Sequence, residues 1–179
     1  MSTFSTSREI PATVEDVFAA FRQPERMARW WGPAGFTNTF NVFEFKNGGR
    51  WSYVMHGPEA GHYQNESVFA EIEPPKRIVI QHVSKPEYRL TITMTSSAVG
   101  TVVSWAQTFE DPEVARRVER IVVPANEENL DRLSAEVLRE PGGGDGPGAG
   151  SRRPSSAKPS TSPPTTSMRS SARSAPAAW

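Results

Sequence analysis

The sequence predicts an α+β domain in which a curved antiparallel sheet wraps around one long C-terminal helix. Three observations carry this. Between Asp111 and Leu138, Val114, Val118, Ile121, Val122, Ala125, Leu130, Leu133 and Val137 recur at steps of mostly three or four, one apolar stripe on a helix. Between Tyr88 and Thr95, Leu90, Ile92 and Met94 alternate with Thr91, Thr93 and Thr95, as in a strand with one buried face. The element order is strand, two short helices, about six strands joined by short turns, then the long helix, and short turns make successive strands antiparallel. A long amphipathic helix needs apolar surface to lie on, and only those strands supply it.

Thr3 to Ile10 alternates weakly and reads as the first strand, ended by Pro11. Thr13, with Asp16 three residues on, resembles a capping box, and Val14, Val17, Phe18 and Phe21 form a short apolar helical face. Pro24 opens a second short helix with Met27, Trp30 and Trp31, stopped by Gly32-Pro33. Thr37 to Phe45 and Arg50 to His56 flank the tight-turn signal Asn47-Gly48-Gly49. In the first of these strands Phe40 and Val42 share one face while Phe43 and Phe45 share the other. Either both faces are partly covered or a bulge switches parity near Val42. In the second, Trp51, Tyr53 and Met55 share a face. Tyr63 to Glu73 follows, with Val68, Ala70 and Ile72 in phase. After Pro74-Pro75-Lys76, Ile78, Ile80 and His82 share a face, and Val103, Trp105, Gln107 and Phe109 share one in Thr101 to Phe109.

In the long helix, Asp111 is placed as N-cap and Pro112 at the first helical position. Arg116, Arg117, Glu119, Arg120, Glu127, Glu128, Asp131 and Arg132 fall mainly on the face expected to be solvated. Pro124 lacks a backbone N–H and crowds the carbonyl of Arg120, so a kink is expected there. Such a kink would bend Val122, Ala125 and Asn129 over the sheet.

The net charge of zero hides a split: from Pro141 onward five Lys or Arg stand against Asp145 alone, leaving 15 basic and 19 acidic residues before it. An acidic folded part argues against nucleic-acid binding, which needs clustered Lys and Arg. The absence of cysteine removes disulfides, thiolate nucleophiles and Cys-ligated zinc. With no basic head before an apolar run and no stretch near the roughly 20 apolar residues of a bilayer span, a cytoplasmic protein with no membrane role is expected.

Arg29-Trp30-Trp31-Gly32-Pro33, Asn47-Gly48-Gly49-Arg50-Trp51, His56-Gly57-Pro58-Glu59 and Glu71-Ile72-Glu73-Pro74-Pro75-Lys76-Arg77, in this element order, resemble the SRPBCC (START-related) superfamily. Within it the chain looks most like bacterial relatives of the C-terminal domain of the heat-shock-protein-90 ATPase activator. The resemblance covers about Thr3 to Leu138 and includes Pro124-Ala125-Asn126-Glu127-Glu128-Asn129-Leu130-Asp131. It implies a helix-grip fold with a cavity between sheet and final helix, apolar ligands such as lipids or polyketides, and in some members action on chaperones. It brings no universal catalytic motif and no cofactor.

On that fold the inward candidates are Trp51, Tyr53, Met55, Val68, Ile72, Ile80, His82, Leu90, Ile92, Met94, Trp105 and Gln107. They face Val118, Val122, Ala125 and Asn129, and apolar walls with a few polar anchors suit a small-molecule pocket. The same residues could simply fill a core. Tyr53, His82 and Gln107 are the polar side chains expected to orient a ligand. His82 or Tyr53 would be the proton-transfer group if the domain were a cyclase or hydratase, but no carboxylate is placed to orient His82. Trp30 and Trp31 fit a lid at the cavity mouth or a plug against the sheet equally well. No metal site is expected: His56, His62 and His82 lack ligand spacing, and the first two read as exposed loop residues. Three functions stay open: an apolar-ligand binder, an enzyme using the same cavity, and a chaperone-ATPase modulator.

The domain is expected to span residues 1–140. Residues 141–179, rich in Ser, Pro, Ala and Arg, cannot offset their chain entropy by burial and are expected to be disordered. Such a composition is also what an out-of-frame GC-rich gene encodes, so the tail is read as a frameshift product or incidental extension. An intact-mass measurement of the native protein checks this, and a native product that carries residues 141–179 counts against the frameshift reading.

Overall fold

The computed structural model describes residues 1–139, and the expectations for the tail lie outside the described residues. Seven strands form one antiparallel sheet: β1 (Ser2–Ile10), β2 (Thr37–Phe43), β3 (Gly49–His56), β4 (His62–Glu73), β5 (Arg77–His82), β6 (Tyr88–Ser96) and β7 (Thr101–Phe109). The strand order is β1-β7-β6-β5-β4-β3-β2, so every neighbour is sequential except β1, which closes against β7 from Ser2↔Phe109 to Ile10↔Thr101. The helices α1 (Val14–Arg22), α2 (Pro24–Trp30) and α3 (Pro112–Leu138) complete the α+β fold. Local chemistry sets their ends. Thr13 Oγ1 accepts from the Asp16 N–H at 3.2 Å, and Asp111 accepts from the Glu113 N–H at 2.9 Å with Pro112 behind it.

The sheet's inner face and all three helices bury a single apolar cluster. Leu130, Leu133 and Val122 of α3 are wholly buried, each contributing about 1.5–3 kcal/mol of transfer free energy. α3 packs on β1, β7, α1 and α2. It runs as one continuous helical segment through Pro124.

Two bulges settle strand parity. Between Phe40 and Val42 the register shifts by one residue, so Phe40 opposes Tyr53 and Phe43 opposes Trp51, both on the inner face. The bulge alternative is therefore the observed one. A second shift lies between Phe69 and Glu71 of β4. It corrects the expected phase of that strand. Asn65, Ser67 and Phe69 point inward, and Val68 pairs with Arg50 on the opposite face. The apolar alternation Val68-Ala70-Ile72 misled because the extra residue at the bulge inverts the face partway along. Gly49 is required next to this hairpin, because a Cβ there would lie 1.8 Å from the Glu44 carbonyl oxygen.

The polar side of α3 is also corrected. Glu127, Glu128, Asp131 and Arg132 anchor the helix rather than simply facing water. Arg8 of β1 binds Glu127 at 3.1 Å and also pairs with Asp131, while Thr6 donates to Glu127. Glu128 accepts from the Ala34 N–H at 3.1 Å. Arg132 donates to five carbonyls of the α2–β2 connection: Arg29 at 2.7 Å, Pro33 and Phe36 at 2.8 Å, Gly32 at 2.9 Å and Trp31 at 3.2 Å. Near the end of α3, Glu136, only 6% exposed, receives Arg29 at 2.8 Å and Arg26 at 3.2 Å. Burial pushes the Glu136 carboxyl up, but hydrogen bonds from Arg29 and Arg26 outweigh it and hold its pKa below the usual value.

Two outcomes follow from these ties. Arg132→Met leaves the five carbonyls without their shared donor and should cost about 2 kcal/mol or more in denaturant melts, with Arg132→Lys recovering only part because an ammonium cannot fork. Glu136 binds its proton more weakly folded than unfolded, so its stabilisation is complete above the ordinary carboxylate range and fades as pH falls through the depressed folded value. Glu136→Gln should therefore lower stability near neutral pH and flatten its loss on acidification, as measured by chemical denaturation across pH.

Candidate functional site

The inner face of the sheet converges under the α2–β2 connection. Trp51, Tyr53 and Met55 of β3, Ile80 and His82 of β5, Leu90, Ile92 and Met94 of β6, and Trp105 and Gln107 of β7 are all buried there. Val118, Val122, Ala125 and Asn129 are buried on α3. The strand period brings these side chains to one face. Val68 alone of the expected set lies on the other face.

The two tryptophans of the α2 end lie inside, Trp30 1% and Trp31 3% exposed. Trp30 donates its indole N–H to the Ala20 carbonyl at 2.9 Å, which ties α2 to α1. Trp31, the C-cap of α2, reaches further in: its ring meets Trp51 at 4.9 Å, Trp105 at 5.9 Å and Tyr53 at 6.5 Å between centroids. Its position depends on the backbone that follows. Gly32 has φ +98, and a Cβ there would lie 2.7 Å from the Met55 methyl. A left-handed glycine thus lets the chain pass directly over β3.

Polar groups inside fall into two sets, one engaged and one without partners. Asn129 accepts the Gly32 N–H at 3.1 Å, so it holds the connection that carries Trp31. Gln107 Oε1 accepts from Asn126 Nδ2 at 3.0 Å, a buried pair joining β7 to α3. His82, fully buried, stacks on Tyr88 at 4.5 Å and 8°. Its Nδ1 lies 2.7 Å from the Pro86 carbonyl and its Nε2 2.7 Å from Asn65 Oδ1, with the Ser84 hydroxyl 3.3 Å away. Desolvation lowers its pKa below the usual imidazole value, partly countered by its backbone hydrogen bonds at Pro86 and Ser84. Nδ1 donates to the Pro86 carbonyl, and the Nε2 lone pair is enclosed by Asn65 and the Ser84 hydroxyl, which can donate to it, so the ring is held in place on both sides.

The Tyr53 hydroxyl sits among the side chains of Trp31, Ser67 and Tyr88, and burial raises the pKa of both phenols, so both are neutral donors. Two buried indole N–H groups here have no hydrogen-bond partner, Trp51 Nε1 and Trp105 Nε1, while Ser67 Oγ has the Tyr53 hydroxyl beside it. Asn65, Ser67, Tyr88 and Asn126 escaped the sequence reading. Tyr88 carries a usable signal, since it continues the Leu90-Ile92-Met94 alternation and faces His82 across the β5–β6 ladder. Asn65 and Ser67 carry none, because polar residues on a strand read as outward unless the bulge is known.

His56 ends β3, as its strand assignment expects, and His62, read as an exposed loop residue, begins β4, so the two face each other across the ladder. Among the described residues no three His, Cys, Asp or Glu side chains form a cluster suited to a metal. No helix among them is long and apolar enough to cross a membrane.

Comparisons with known proteins agree with this fold. The chain aligns with a crystallised protein from Nitrosomonas europaea at TM-score 0.71 and 18% identity, covering 78% of this chain and 96% of that one. A solution structure from Arthrobacter aurescens matches at TM-score 0.71 and 25% identity, covering 75% and 85%. The solution structure of the AHSA1-like protein from Aeromonas hydrophila matches at TM-score 0.62 and 19% identity, covering 76% and 92%. No curated protein matches the sequence. The family described as Activator of Hsp90 ATPase homolog 1-like protein matches residues 11–137, most of the chain, with the expected helix-grip arrangement of sheet and long helix. The chain belongs to that Hsp90 ATPase activator homologue-like family of the SRPBCC superfamily.

Proposed function

We propose that this domain binds an apolar small molecule, lipid- or polyketide-like in character, between the sheet and α3. The observation that carries the reading is the pair of buried indole N–H groups without partners, Trp51 Nε1 and Trp105 Nε1, within an apolar and aromatic surround. Buried donors left unpaired cost about 1–3 kcal/mol each, and a ligand oxygen would satisfy them. Trp51, Tyr53, Met55, Ile80, Leu90, Ile92, Met94 and Trp105 would form the walls, with Val118, Val122 and Ala125 from the helix. Trp31 would act as the movable side chain, because its ring occupies the middle of this set and its backbone rests on a glycine.

A binder is favoured over a cyclase or hydratase because both His82 nitrogens are engaged and both phenols are neutral donors. The family's printed description supports the alternative of a chaperone-ATPase modulator. We take the protein to be cytoplasmic, with residues 1–140 as the functional unit.

Native mass spectrometry of the purified chain should show a retained lipophile, and titration with the extracted molecule should shift tryptophan emission. His82→Ala should change that affinity without abolishing a turnover. Absence of a retained lipophile and of any emission change across a panel of fatty acids and aromatic polyketides would sink the binder. A stable complex with the chaperone in a pull-down would support the alternative.

A further inference from the structure

We propose a divalent transition-metal site on the outer rim of the sheet, formed by His56 and His62. The two residues are directly opposed in the β3–β4 ladder, next to a loop closed by the Gly57 N–H on the Gly61 carbonyl at 2.7 Å. Their Nδ1 atoms lie 2.7 Å apart, with ring centroids 4.9 Å apart and planes at 78°. Two neutral imidazoles this close share one proton: one ring donates it and the other accepts. A third residue can set those roles. Thr39 Oγ1, on β2, lies 2.7 Å from His56 Nε2 and can accept its proton, which leaves His56 Nδ1 as a bare lone pair. An oxygen that fixes the far nitrogen is what orients metal-ligating histidines.

With the shared proton displaced, the separation suits a chelated ion. With metal–nitrogen bonds of about 2.0 Å, nitrogens 2.7 Å apart subtend about 85°. That is a cis pair in a square-planar or octahedral set, whereas a tetrahedral ion would need about 3.3 Å. Copper(II) and nickel(II) prefer the former geometry, and imidazole suits both. His62 is exposed, so water can complete the coordination sphere. On binding, His62 transfers its Nδ1 proton to Nε2 through solvent. Both rings stay neutral and both Nδ1 lone pairs face the metal. The ion would clip the two ends of the hairpin together, favouring the folded ladder by mass action.

The site is independent of the interior ligand and can be tested apart from it. The full untagged chain, freed of metal by chelation, is titrated with Cu²⁺ and then Ni²⁺ by calorimetry, and the copper complex is read by electron paramagnetic resonance. One ion per chain with two nitrogen ligands is expected. His62→Ala should lose at least about tenfold in affinity, and Thr39→Val about tenfold through loss of the orienting acceptor. Circular dichroism and melting of the metal-free variants check folding, and Thr39→Val keeps the test decisive if His62→Ala is unstable. Equal affinity in wild type and His62→Ala, or a spectrum lacking the two-nitrogen pattern, overturns the site.

Discussion

Arg132 is the residue on which the arrangement of this domain most depends. One guanidinium, projecting from α3, gathers the carbonyls of Arg29, Trp31, Gly32, Pro33 and Phe36. The four N–H donors on its two terminal nitrogens, spread in one plane, can do this by sharing, and a point charge cannot. All its acceptors are neutral, so the arrangement is about shape rather than charge. Asn129 and Glu128 add the N–H groups of Gly32 and Ala34 to the same helix face. The connection after α2 is therefore fastened to α3 through both kinds of backbone group, and the indole of Trp31 is delivered to the centre of the concave side.

That fastening explains why the interior is both well ordered and incompletely satisfied. Edge-on aromatic contacts link Trp30, Trp31, Trp51 and Trp105, each worth about 0.5–1.5 kcal/mol beyond its burial. Rings packed this way fill space but do not all find acceptors for their N–H groups. Other buried polar groups are paired: His82 with Pro86 and Asn65, Gln107 with Asn126. The proposed binding reading rests on the contrast between these satisfied pairs and the unpaired Trp51 and Trp105 indole N–H groups.

Much of the candidate site was legible because strand alternation alone puts Trp51, Tyr53 and Met55, and likewise Leu90, Ile92 and Met94, on common faces. The error at Val68 has a local cause. One inserted residue near Ala70 changes which face the strand presents, and nothing in the composition of Tyr63 to Glu73 announces it. Asn129 was correctly placed inward but for a different purpose, since its partner is a backbone N–H about a hundred residues away in the chain. The same limit hid His56 opposite His62: both histidines are visible in the sequence, yet only their ladder register makes them a pair.

By itself the sequence determined the fold class, the order of elements, the caps at Thr13 and Asp111, and the family. These rest on periodicity, turn chemistry and short motifs, all of which act between residues close in the chain. Only the tertiary structure decided the parity of β4, the engagement of both His82 nitrogens, the inward seat of Trp31, and the conversion of a charged helix face into an anchor. Each of these depends on which distant backbone groups meet. A residue such as Arg132 reads as a solvated charge until its five carbonyl partners are brought to it.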